Sequence, residues 1–146
     1  MFRHDLSAWP LVLTVADGAP TLEDLDGFSA AWTQWLDRGE SFATLRVLTS
    51  EQARKHPPGG GKAREHWFQA NGERLKQQVL GMATVAPAAL VQQANRADSE
   101  RLYGVPARSF DDLEQALAWL LPHLHGRFPA FDVRDIETRL QRLRGD

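Results

Sequence analysis

The stretch Pro10-Leu11-Val12-Leu13-Thr14-Val15-Ala16-Asp17-Gly18 decides the fold. Leu11–Val15 is a short apolar run rich in β-branched residues, bounded by Pro10 and by Asp17-Gly18, which predicts a strand. Thr21 then opens a helix, with Glu23 and Asp24 placing negative charge in its first turn, where the helix dipole favours it. Leu22, Leu25, Phe28, Trp32, Trp35 and Leu36 recur at spacings of three and four, so they share one face, and Gly39 is the stop. A strand followed by an amphipathic helix is the first half of a parallel crossover.

The same alternation continues down the chain. Phe42–Leu48 predicts the second strand, with Leu45 and Val47 alternating against Thr44 and Arg46, so one face is partly polar. A loop follows around His56-Pro57-Pro58-Gly59-Gly60-Gly61, then a helix from Lys62 to about Gln78. Val79–Ala86 predicts a third strand ended by Pro87, Ala88–Tyr103 a helix closed by Gly104, and Val105–Phe110 a fourth, short strand. Ser109 or Asp111 is placed to cap the next helix, whose buried stripe contains Leu113, Ala116, Leu117, Leu120, Leu121 and Leu124. Four strands separated by helices imply a mostly parallel α/β sheet with right-handed crossovers. Met1–Leu6 offers a fifth strand, antiparallel to Leu11–Val15.

Residues 125–146 differ in kind from 1–124. His125–Pro129 reads as a linker and Asp132–Arg144 as an amphipathic helix, with Val133, Ile136, Leu140 and Leu143 spaced three, four and three apart. That seam is too short for an independent coiled coil, so it must dock on its own domain or on a second copy as a homodimer.

Composition narrows the function classes. The chain has 146 residues, 42% hydrophobic and 25% charged, with net charge −2, five tryptophans and no cysteine. The charge argues against a domain built to hold nucleic acid. Without cysteine there is no disulfide framework, thiolate zinc site or thiol nucleophile. No apolar run reaches the roughly 18–20 residues of a membrane span. Met1-Phe2-Arg3-His4-Asp5 does not begin a secretory signal, so a cytoplasmic protein is expected.

Ser109-Phe110-Asp111-Asp112-Leu113-Glu114-Gln115-Ala116-Leu117-Ala118-Trp119-Leu120 resembles the closing segment of the SpoIIAA-like family, in which a strand ending in Phe leads into an acidic helix start and an Ala-x-x-Trp-Leu stretch. Leu11–Val15, Thr21–Leu25 and Val79–Pro87 are similar to earlier family elements in order, so the likeness covers about residues 2–121. The resemblance implies a STAS-like domain over 1–124: a mixed sheet of four or five strands with helices mainly on one face. It also implies a protein-binding regulator, in which Thr49 and Ser50 occupy the place of the relatives' phosphorylated serine.

Several residue groups suggest chemistry. Pro57-Pro58-Gly59-Gly60-Gly61-Lys62 follows a strand and precedes a helix, so Gly59, Gly60, Gly61, Lys62 and nearby Arg64 could hold an anion at a helix N-terminus, although the phosphate-loop spacing and its hydroxyl are absent. A surface loop is the alternative. Residues 51–76 carry six Lys or Arg against three Glu. His56 with His66, and His123 with His125, lack the converging positions of a metal site, and Ser50 with either neighbouring histidine lacks a nucleophile elbow. Trp32 and Trp35 read as core, with an interface role as the alternative.

These observations lead to a non-enzymatic regulatory module that binds a protein partner through the 49–62 loop and the tail helix, with no cofactor. The alternative is a binder of a small anionic or apolar ligand, such as a nucleotide, phosphate or lipid, at the 49–64 loop. An enzyme with an unrecognised site is the third reading.

Overall fold

Among the described residues, ten regular elements and one short 3-10 turn follow one another along the chain. The computed structural model describes residues 1–96 and 104–145. The strands are β1 (Phe2–Asp5), β2 (Leu11–Ala16), β3 (Phe42–Leu48), β4 (Val79–Val85) and β5 (Ala107–Phe110). The helices are α1 (Leu22–Asp37), α2 (Gly60–Gln78), α3 (Ala88–Arg96), α4 (Leu113–His125) and α5 (Ile136–Arg144), and the 3-10 turn is Glu51–Arg54. The strands lie in one sheet in chain order, with β1 antiparallel to β2 and every later pair parallel.

That order explains the layering. An advance of one strand at a time, with right-handed crossovers, puts every crossover helix on the same face. Val12 and Phe42 of the sheet accordingly pack with Phe28, Trp35 and Leu36 of α1 and Leu75 of α2. Leu90 and Val91 of α3 join Ala16, Leu48 and Ala86 on that side. After β5 no further strand follows, so the chain is free to cross the sheet. Ala116, Leu120 and Leu124 of α4, with Ile136 and Leu140 of α5, cover Leu11, Leu13, Val15, Ala43, Leu45 and Val47 on the other face. All six residues of β2 are buried, as a strand covered on both sides requires. Three of the described helices thus share one face, and α4 with the C-terminal α5 forms a second layer on the other.

Local chemistry sets the ends. Thr21 Oγ1 accepts from the Asp24 backbone N–H at 3.0 Å, and an Asp24 carboxylate oxygen accepts from the Thr21 N–H at 2.9 Å. This capping box satisfies two donors that α1 leaves open. The Thr21 N–H, held against the Asp24 carboxylate, is the main reason its pKa falls below the ordinary range. Gly39, at φ 69°, ends the helix with its N–H on the Leu36 carbonyl at 3.0 Å. Asp112, not Ser109 or Asp111, caps α4: its side chain accepts from the Gln115 N–H at 3.0 Å, a reach that only the residue directly before the helix has.

Other boundaries shift by a few residues. α2 begins at Gly60 instead of Lys62, and β5 at Ala107 instead of Val105. α5 begins at Ile136 instead of Asp132, because the Asp132 carboxylate accepts the Arg134 N–H at 2.9 Å and holds a turn there. The predicted Ala88–Tyr103 helix is helical through Arg96; its remainder lies outside the described residues.

The tail does not stand apart. Ile136 and Leu140 are 1% and 3% exposed in the core shared with β2 and β3, and Val133 and Leu143 pack at its edge. α5 lies over β1 and β2, and Arg139 donates to the Ser7 hydroxyl in the turn between those strands. Of the two docking sites expected for this seam, its own domain and a second copy, its own sheet takes Ile136 and Leu140, packing them with Leu11, Leu13 and Val15. No helix among the described residues is long and apolar enough to cross a membrane.

Candidate functional site

The face beneath α1, α2 and α3 is not uniformly apolar. Strand pairing aligns His4 with Thr14, Thr14 with Arg46, Arg46 with Thr84, and Thr84 with Ser109. One polar residue from each of five strands therefore lies in a single row across the sheet. Side chains alternate faces along a strand, so the next row on this side is Val12, Thr44, Met82 and Ala107. Thr14 and Thr44 are 3% and 7% exposed, the described polar side chains buried most completely.

At its antiparallel end the row is closed. His4 Nδ1 and Thr14 Oγ1 share a hydrogen bond of 2.8 Å. The His4 ring stacks on Phe28 with centroids 5.5 Å apart and meets Trp35 edge-on at 5.0 Å. Burial pushes its pKa down, which keeps the imidazole neutral in this aromatic setting.

Over the rest of the row lies a cavity of about 240 Å³. Thr14, Thr44, Arg46, Met82, Thr84 and Ser109 form its floor. Leu25, Phe28, Ser29, Trp32 and Trp35 of α1 form one wall, and Arg64, Trp67, Phe68 and Leu75 of α2 another. Leu90 and Ala94 of α3 close one end, and Ala53, Arg54, Lys55 and His56 lie at the carboxyl end of β3. Side-chain size contributes to the space: Thr14, Thr44, Thr84 and Ser109 on the floor are short, and they face Phe and Trp rings on the helices. At the β5 edge, the Asn95 side chain of α3 accepts from the Ser109 N–H at 3.0 Å and donates to its carbonyl at 3.1 Å, pinning that strand.

The aromatic wall is fixed. Trp67 donates its indole N–H to Thr33 Oγ1 at 3.0 Å, and Thr33 donates in turn to the Ser29 carbonyl at 3.0 Å. Trp32 and Trp67 meet at 62° with centroids 6.2 Å apart, and Trp67 and Phe68 at 79° and 5.4 Å. The Arg64 guanidinium lies 5.5 Å from the Phe68 ring centroid, within cation–π range.

Charge is concentrated here. The side chains of Arg46, Arg54, Lys55 and Arg64 line the cavity, and no carboxylate does among the described residues; the Arg108 guanidinium lies over the Phe110 ring on the other face of the sheet. The chain as a whole is at −2. His56 registers the crowding: partial desolvation first, then Arg64, Arg54 and Arg46, hold its pKa below the ordinary imidazole value.

The residues singled out from sequence meet different fates. Arg64 lines the cavity, whereas Lys62 and Gly61 are exposed and do not. Gly59 takes φ 84° at the start of α2. Gly60 is buried, and a Cβ there would meet Leu25 Cδ1 at 2.7 Å, so this glycine lets α2 approach α1. Thr49 is exposed and donates to the Ala16 carbonyl at 3.3 Å; Ser50 precedes the 3-10 turn, and neither lines the cavity. His66 is exposed, while the His123 ring lies 4.8 Å from the Trp119 ring. Among the described residues no group of three or more His, Cys, Asp or Glu could hold a metal ion. A second, more open concavity of about 350 Å³ lies between Trp9 and the Phe131–Arg139 segment.

Thr14, Arg46, Thr84 and Ser109 were not selected as site residues from sequence. The signal was present: each is a polar residue within three positions of the carboxyl end of its strand. No family model, curated protein or solved structure matches the chain. The SpoIIAA-like resemblance therefore stands on the Ser109–Leu120 segment and the order of elements.

Proposed function

We propose that this domain binds a small anionic organic ligand in the cavity between the sheet and α1 and α2. One observation carries the reading: Thr14, Arg46, Thr84 and Ser109 align in a row that floors an aromatic-walled recess. The cavity lies toward the carboxyl ends of the parallel strands, the end at which open α/β sheets hold ligands. The cations beside the 3-10 turn raise the local concentration of anions. The loop at 49–64 thus contributes Arg54, Lys55, His56 and Arg64 to the cavity edge.

Thermal shift and calorimetry with a panel of small carboxylates and phosphate monoesters test the reading. A binding anion raises the Tm of the natural protein, and Arg46→Gln, with its Tm within a few degrees of the parent, loses that rise. No shift with any anion at high concentration, or a shift that survives Arg46→Gln, overturns it.

A further inference from the structure

Resting on that reading, we infer that the ligand joins a flat aromatic ring of one- or two-ring size to one oxyanionic group, with the anion on Arg46 and the ring against Trp67 and Phe68. Three features carry this. The first is size: about 240 Å³ falls just below the roughly 300–1,000 Å³ of drug-sized sites, which selects a compact molecule over a dinucleotide or a long acyl chain.

The second is the anchor. Arg46 sits on β3, the middle strand of five, with Thr14 and Thr84 as its direct cross-strand neighbours. Adjacent strands are about 4.8 Å apart, so a threonine stands on each side of the Arg46 stem at the cavity floor. A guanidinium offers two parallel N–H donors to a carboxylate or phosphate, and flanking hydroxyls can serve its remaining lone pairs.

The third is the wall. Leu, Ile and Val would suffice for an aliphatic body. This chain instead sets Trp32, Trp67 and Phe68 at steep mutual angles. It also turns the Trp67 N–H away to Thr33, leaving the ring as an apolar surface. Rings of this kind favour edge-to-face or offset contact with another aromatic ring.

Titrations of the full chain, followed by the indole N–H resonances of Trp32 and Trp67, test the inference with benzoate, adenosine monophosphate, cyclohexanecarboxylate and benzamide. Benzoate or adenosine monophosphate binds about three- to tenfold more tightly than cyclohexanecarboxylate, the ratio a ring–ring contact supplies. Benzamide, which keeps the ring and loses the charge, binds at least about tenfold more weakly than benzoate. Whichever of the two aromatic anions binds more tightly names the group as carboxylate or phosphate. Phe68→Leu lowers the preference for the ring while leaving cyclohexanecarboxylate unchanged. If cyclohexanecarboxylate binds as well as both aromatic anions, the ring assignment falls and anion binding stands. If none of the three anions binds in a manner dependent on Arg46, both fall.

Discussion

The two faces of one sheet are packed differently. Toward α4 and α5, β2 and β3 present Leu11, Leu13, Val15, Ala43, Leu45 and Val47, and the helices cover them completely. Toward α1, α2 and α3 the same two strands present Thr14, Thr44 and Arg46 under a cavity, with Val12 buried beside it. Alternation along a strand lets one segment serve cohesion on one side and recognition on the other. Stability should therefore be sensitive to the first set of residues, and binding to the second.

Four experiments can break or sharpen that contrast. Leu13→Ala should cost about 2–5 kcal/mol in denaturant unfolding, the range for a truncated core leucine. A cost under about 1 kcal/mol would mean this face is not the stabilising one. Ile136→Ala should fall toward the lower part of that range, at about 2–3 kcal/mol, with no change of mass in solution, because its stripe is covered within the chain. Thr84→Val should alter stability by less than about 1 kcal/mol yet weaken anion binding several-fold, by removing a hydroxyl beside Arg46.

The fourth is pH. Burial holds the His4 pKa below its unfolded value, so the unfolded chain takes up a proton first as pH falls. His4's contribution is complete above the unfolded value of about 6.5 and is lost as pH drops from there through the folded value. Tm should decline accordingly over that window, and His4→Phe should flatten the decline. His56 gives the smallest effect, on binding alone. A bound anion offsets the arginines that lower its pKa, so binding takes up protons and strengthens by about twofold or less as pH falls toward 6. Affinity that rises with pH instead would remove His56 from the site.

The sequence made the strands and most helix starts legible, and for a physical reason. Leu11–Val15 and Phe42–Leu48 carry β-branched and apolar runs between turn residues, and Thr21 with Asp24 spells a cap; these signals are local. The partly polar face of β3 was also visible in Thr44 and Arg46. What could not be read was register. Nothing in the chain before folding says that Thr14, Arg46, Thr84 and Ser109 come to one row, since that depends on how three crossovers close. The covering of Ile136 and Leu140 was hidden for a similar reason: an amphipathic stripe states that it needs an apolar surface, not which one. The glycines at 59–61 drew attention to an anion loop, but the observed cation cluster is built by their neighbours Arg54, Lys55 and Arg64.

The chain order of the layers has a consequence for synthesis. All five strands and the helices on the cavity side precede α4 and α5. A ribosome releases the chain from its amino end at about 5–20 residues per second. The leucine-rich side of the sheet therefore emerges before the helices that shield it. For an interval of seconds the nascent molecule carries a bare apolar surface, and this is the stage at which chaperones have most to hold.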